Sequence, residues 1–348
     1  MALVDWCEKG FIPDFLTRIG IRRLCTQRLS EQLEGDWQAR QLRFLDTLRA
    51  SAVAIETKAA NEQHYELPPL FFVNCLGARL KYSSCYYPHG GESLDQAEVA
   101  MLKLYLERAE LKDGQDILEL GCGWGSLTLW MAEKYPNARI TAVSNSAPQR
   151  LFIEARCLER GFNHVKVITQ DVNELSLESS QFDRVVSIEM FEHMRNYDVL
   201  LNRIANWLKP DGKLFVHIFC HKTLAYPFET DGDDNWMGRY FFTGGQMPAF
   251  DTFRQFAKDL MVEADWKVAG THYERTSNQW LETMDANKSK IMPLFDETYG
   301  SDAKLWFQRW RMFYMACAEL FGYDSGQEWL VGHYRFVKSP ANAGLEIL

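Results

Sequence analysis

The sequence predicts an α/β protein built on a doubly wound parallel sheet, and two features carry that expectation. A strand-like apolar run, Ile117-Leu118-Glu119-Leu120, opens onto three alternate glycines, Gly121, Gly123 and Gly125. Helical spacing then resumes from Ser126 to Ala132, with Ser126 as the expected cap. Around this unit, strand-like and helix-like segments alternate at the rhythm of βαβ units.

In chain order, residues 1 to about 60 read as helical. Leu16, Ile19, Ile21, Leu24, Leu29 and Leu33 recur at turn-like spacing among Arg18, Arg22, Arg23 and Arg28, a basic run that reads as a solvated helix face. An aromatic loop follows, His64 to Phe72 and then Leu80 to Pro88, broken by prolines. A helix over 94–110 leads into the glycine unit. Strands are expected at 138–143, 165–168, 182–188 and 213–219, with helices at 148–160 and 197–208. Segments 266–270 and 329–336 are two later strand candidates. Between them lies an aromatic helical stretch (Trp280, Phe295, Trp306, Trp310, Phe313, Tyr314, Phe321) placed as a lid. The expected division is a cap over 1–90, a binding core over 91–275, a lid over 276–327 and a closing strand over 328–348.

Composition narrows the partners. A net charge of -9 disfavours nucleic acid and suits a cationic substrate. The eight cysteines stand singly, without a C-x-x-C pair, which reads as reduced thiols in the cytoplasm. No apolar run reaches transmembrane length.

Alternate glycines let a ligand lie directly against the main chain, and the amides of the following helix point at it. The spacing is not the Gly-x-Gly-x-x-Gly that fits a pyrophosphate. Glu119 also disfavours a phosphate and suits a cationic amino group. Together these features point to S-adenosylmethionine, the alternative being a tight turn without a ligand. Ligands in such sheets lie outside the carboxyl ends of the strands. Asn145 and Gln149 are therefore candidates for the ribose hydroxyls and Asp171 for the adenine amino group, with a turn cap as the alternative for Asp171.

The densest chemical signal is Ser187-Ile188-Glu189-Met190-Phe191-Glu192-His193-Met194, directly after the fourth strand. Glu189, Glu192 and His193 would crowd the crevice mouth. Methyl transfer to an amine needs a neutral nucleophile, in-line geometry and a group to take or balance the proton, which a Glu and a His can supply. An adjacent carboxylate would raise the basicity of His193. His217 and His221 lie four apart, but no metal site is expected.

These stretches, with Lys81-Tyr82-Ser83, Val216 to Thr223, Tyr240 to Pro248, Ala318 to Tyr323 and Glu328-Trp329, resemble the plant coclaurine N-methyltransferase group, itself similar to the cyclopropane-fatty-acid synthases. The resemblance spans essentially residues 60–337. It implies a Rossmann-like class I methyltransferase fold with a helical cap. It implies cofactor contacts at Tyr82, Ser83, Gly121, Asn145, Gln149, Asp171 and Ile188, catalysis by Glu189, Glu192 and His193, and Tyr82 and Trp329 near the substrate. A small aromatic amine would then sit among Tyr82, Tyr86, Phe242, Phe321 and Trp329, and a homodimer is an expected assembly. The lipid-modifying synthases hold bicarbonate with a Cys, Glu, His and Tyr, for which Cys85, Glu192, His217 and Tyr273 are the candidates here. They typically carry glycine where this chain has Glu189, and a carboxylate there favours an alkylammonium over an acyl chain. A lipid acceptor and a non-catalytic relative are the alternatives.

Overall fold

The computed structural model describes residues 3–55 and 67–340, so His64, Tyr65 and Glu66 of the aromatic loop lie outside the described residues. Among the described residues the main sheet has seven strands: β1 (Asp116–Leu120), β2 (Arg139–Ser144), β3 (Val165–Thr169), β4 (Phe182–Ile188), β5 (Leu208–His221), β6 (Leu260–Val268) and β7 (Trp329–Lys338). They lie in the order β3-β2-β1-β4-β5-β7-β6. β1 pairs in parallel with both β2 and β4, and its Ile117 packs into one core cluster while Leu118 and Leu120 pack into another, so both faces of the strand are buried. Burying each such side chain stabilises the fold by about 1.5–3 kcal/mol. The order reverses between β1 and β4, and the crevice opens at that point.

The two later strand candidates close the doubly wound sheet at one edge and make it mixed. β7 runs antiparallel to both β5 and β6. The reason is the aromatic insertion, which leaves β6 at the ligand edge and returns to that same edge. A strand starting there must run the other way. The insertion consists of α10 (Thr271–Ala286), α11 (Lys288–Tyr299) and α12 (Ala303–Gly322). Trp280, Phe295, Trp310 and Tyr314 are all buried in it, so much of the lid's aromatic content is core.

The N-terminal layer is α1 (Leu3–Glu8), α2 (Asp14–Leu33) and α3 (Trp37–Ala50). Two of its basic residues do more than face solvent. Arg18 and Arg22 converge on Glu319 of α12 at 2.8 and 2.5 Å, tying the layer to the lid. The other α-helices among the described residues are α4 (Pro69–Val73), α5 (Leu94–Arg108), α6 (Ser126–Lys134), α7 (Ala147–Arg160), α8 (Tyr197–Trp207) and α9 (Trp236–Tyr240). Helix α5 starts on a reciprocal capping box between Ser93 and Gln96. No helix among the described residues is long and apolar enough to cross a membrane.

Candidate active site

The carboxyl ends of β1 to β4 open into one cleft of about 1210 Å³, counting its mouth. Glu119, Gly121 and Gly123 line it from β1, Asn145 and Gln149 from the β2 end, and Asp171 from the β3 end. Ile188, Glu189 and His193 come from the β4 end, and Tyr82 and Ser83 close it from the aromatic loop. Gly123 has φ +51°, and a β-carbon there would project into open space. Any side chain would enter the room a ligand needs. Gly125 does not reach the cleft. A β-carbon there would meet Ile153 at 2.7 Å, so this glycine lets α6 pack on α7. It also occupies the cap position of α6, with φ 81°. Ser126 is therefore the first helical residue and not the cap, and its buried hydroxyl borders the cleft with no protein partner.

Polar groups on the cleft wall are aimed for a ligand. Gln149 accepts from the Ser144 hydroxyl at 2.6 Å, which leaves its buried Nε2 amide without a protein partner. Asp171 uses one oxygen to cap the turn at the Asn173 amide, 2.7 Å, and its carboxylate still borders the cleft. Glu119 is buried and accepts from the Thr128 hydroxyl at 2.5 Å. Burial pushes its carboxyl up to about 8, against that hydrogen bond. A cationic group arriving beside it would restore the carboxylate.

Glu189 sits where β4 ends, with φ 47°, in the left-handed region that favours glycine. Such a conformation costs a side-chain-bearing residue roughly 1–2 kcal/mol. The surroundings hold it there. Its Oε1 accepts from the Ser84 amide at 2.9 Å and from His217 Nε2 at 3.0 Å, while its Oε2 accepts from the Tyr273 hydroxyl at 2.7 Å. A carboxylate has about four lone-pair sites, so the three protein donors do not use up its capacity, and the residue lines the cleft. Burial raises its carboxyl, and Lys81 opposes the rise.

This chain belongs to a methyltransferase family, as comparison with known proteins establishes. A family model described as mycolic acid cyclopropane synthetase matches residues 54–329. The (S)-coclaurine N-methyltransferase of Thalictrum flavum subsp. glaucum is 39% identical, covering 97% of this chain and 96% of that protein. The enzyme of the same name from Papaver somniferum is 37% identical over 95% and 96%. A solved coclaurine N-methyltransferase bound to N-methylheliamine and S-adenosylhomocysteine superposes with a TM-score of 0.92 at 38% identity, covering 97% and 99% of the two chains. The chain is a member of the coclaurine N-methyltransferase family. It is an S-adenosylmethionine-dependent N-methyltransferase with the class I fold. The cleft fits that cofactor, with an open glycine cradle, an unpaired amide at Gln149, and carboxylates at Glu119 and Asp171 for its cationic tail and amino groups.

The family's three candidate catalytic residues do not share one position. His193 lines the cleft with its ring stacked on Phe242, centroids 6.0 Å apart. The expectation that a neighbouring carboxylate makes it more basic is corrected, because burial outweighs Glu189 and pushes the imidazole down to about 4. Glu189 takes its hydrogen bond from His217 instead. Glu192 lies behind the cleft wall and accepts from the Phe219 amide at 2.7 Å. A short 3₁₀ turn over Phe191–His193 rotates it away from the cleft. Burial and the charge of Glu189 raise its carboxyl well above the usual range. Glu192 thus has one protein donor where Glu189 has three.

Cys85, Glu192, His217 and Tyr273, the candidates for a bicarbonate site, are not arranged alike. Two of the candidates, His217 and Tyr273, converge on the Glu189 carboxylate itself. The Cys85 thiol is buried and pushed up to about 12. Lys81 was not anticipated. It is fully buried, lines the cleft, and donates to the Ser83 hydroxyl and the Ser84 carbonyl at 2.5 and 2.6 Å. Its place beside the quoted Tyr82-Ser83 pair was the available signal.

The five aromatic candidates separate likewise. Tyr82 lines the cleft. From it a belt of ring contacts runs through Trp280, Tyr273, Phe321, Phe219 and Phe242 to His193, with centroids 4.3–6.2 Å apart. Tyr86 lies off the belt, against the His272 ring. Trp329 is corrected as a cleft-wall residue. It is buried at the start of β7, and its Nε1–H is satisfied by the Tyr226 hydroxyl at 2.9 Å.

Proposed function

We propose that the acceptor is a tetrahydroisoquinoline-type or similar aromatic secondary amine, held inside the aromatic belt with its nitrogen at Glu189. The observation that carries this reading is the buried Glu189 carboxyl group, which lines the cleft and is held in place by three donors. A ring body suits a belt of rings, each well-placed contact adding about 0.5–1.5 kcal/mol beyond area burial. The names of the closely similar relatives support the same acceptor class.

When bound, S-adenosylmethionine supplies an electrophilic methyl group on its sulfonium. The chain's own residues prepare the amine. Glu189 attracts the protonated amine and takes one N–H proton, leaving a neutral nitrogen with a free lone pair. His193, held neutral, offers a ring nitrogen to a remaining N–H and fixes the lone-pair direction. The belt and Tyr82 then hold the nitrogen in line. A carboxylate at Glu189 disfavours the competing acceptor, an unsaturated acyl chain.

The eight free, buried thiols support the cytoplasm as the compartment. Exposed Leu3, Trp6, Phe11 and Phe15 on the N-terminal layer support a homodimer. The division into cap (1–90), cofactor core (91–275), lid (276–327) and closing strand (328–348) is kept as a functional one. Transfer of labelled methyl from S-adenosylmethionine into a panel of aromatic amines and unsaturated phospholipids tests the acceptor. Label is expected in a secondary aromatic amine. Label in phospholipid alone would overturn the reading.

A further inference from the structure

His217 and His333 face each other as directly paired residues across β5 and β7. His333 Nε2 and His217 Nδ1 are 2.9 Å apart, and His217 Nε2 is 3.0 Å from Glu189 Oε1. At the far end, Arg108 NH1 lies 2.7 Å from His333 Nδ1. Four side chains thus form one line from the last turn of α5 to the carboxylate at the cleft.

The polarity of this line follows from its end. A guanidinium only donates and does not lose its proton in proteins. Facing it, His333 Nδ1 must be the acceptor, so the ring's hydrogen is on Nε2. That hydrogen points at His217 Nδ1, which must accept in turn, and the His217 hydrogen is therefore on Nε2, aimed at Glu189. The Tyr105 hydroxyl also lies 2.9 Å from His217 Nδ1 and, being able to donate or accept, is compatible with the assignment. Arg108 is itself held over the Trp266 ring, 5.0 Å from its centroid. Both imidazoles are completely buried and each has protein groups at both nitrogens, so no water is needed to choose the tautomer.

We propose that Arg108 and His333 are positioning residues for the methyl-transfer reaction, acting through His217 to commit a hydrogen-bond donor to the Glu189 carboxylate. The role rests on the reading of Glu189 as the group that takes the amine's proton. Without the line, His217 could present a bare nitrogen to Glu189, and two lone pairs would oppose each other at the cleft wall. The catalytic carboxylate would lose a donor and its fixed orientation, although neither Arg108 nor His333 touches substrate or cofactor.

The test begins with the unmodified protein, labelled with ¹⁵N at histidine and assigned with His217→Gln and His333→Gln. Both rings are expected as neutral Nε2–H tautomers. Arg108→Met, which keeps bulk and removes the donor, should shift His333 toward the Nδ1–H form. It should lower kcat for an aromatic amine by about 10- to 100-fold, as outer-shell orienting partners do. Affinity for S-adenosylhomocysteine should not change, and Arg108→Lys should recover most of the turnover. An Nδ1–H or imidazolium form at either ring of the unmodified protein would overturn the proposal, and that readout does not depend on any variant folding. So would unchanged tautomers and full kcat in Arg108→Met. Correct tautomers with no turnover of any amine would instead count against the acceptor reading and leave the hydrogen-bond line established.

Discussion

Glu189, where β4 ends, and Tyr273, in the first turn of the insertion helix α10, meet in a 2.7 Å hydrogen bond. The bond joins the ligand edge of the sheet to the helical insertion. It also helps hold Glu189 at a φ that glycine would adopt freely.

Replacing Glu189 by Gly should therefore separate chemistry from stability. Relief of left-handed strain, roughly 1–2 kcal/mol, offsets the backbone freedom that glycine adds, about 0.5–1 kcal/mol. The melting temperature should move by no more than a few degrees while turnover collapses. The vacated donors at Ser84, His217 and Tyr273 should accept a small carboxylate, so added formate should restore part of the activity. A large fall in melting temperature, or no response to formate, would count against the site as described.

Cofactor binding should expel a proton. In the free protein burial pushes Glu119 up to about 8, so below that pH its carboxyl is mostly protonated. The cationic tail of S-adenosylmethionine selects the carboxylate. Affinity should therefore rise with pH toward 8 and flatten above it, with release approaching about one proton per site well below 8. Calorimetry in two buffers of different ionisation enthalpy measures this directly. Glu119→Gln should abolish the component, which distinguishes it from Glu98, pushed up to about 7.

Gly123→Val should abolish cofactor binding with the fold retained. The position has no neighbour within 4 Å of a β-carbon, but its φ of +51° and its place on the cleft wall put the branched side chain where the ligand lies. Calorimetric titration checks this, and unchanged affinity would remove the glycine cradle from the cofactor site.

Two aromatic substitutions should behave oppositely. Phe242→Ala, on the belt beside His193, should raise KM for the amine with little effect on S-adenosylmethionine. Trp329→Ala removes a core ring and should cost about 3–5 kcal/mol of stability, seen as a lower denaturant midpoint. A selective KM effect from Trp329 with normal stability would return it to the substrate wall.

Much of this was legible in the sequence because it is local. Ile117 to Gly125 reads as strand and turn on its own, and Asn145, Gln149 and Asp171 follow from the rule that ligands lie at strand ends. Pairing partners were not legible. His333 lies 116 residues from His217 and reads only as one member of an alternating strand, so the line to Arg108 emerges once β7 is seen beside β5. The antiparallel course of β7 was hidden for the same reason, since a helical insertion's exit edge is a tertiary fact. Within Glu189 to His193, spacing showed three titratable groups together but not the left-handed turn and 3₁₀ twist that separate Glu192 from the other two. The resemblance places Trp329 near the substrate, but its sequence position does not show that the Tyr226 hydroxyl satisfies its indole N–H inside the core.

If the Glu189 carboxylate takes the proton of an aromatic amine, Glu189→Gln should remove that step. The amide keeps the size and loses the charge. Its steady-state kcat with a tetrahydroisoquinoline-type amine should fall about 10²–10⁴-fold, the range of acid–base assistance, while affinity for S-adenosylhomocysteine stays at the parent value. Parent-level turnover in this variant would contradict the claim.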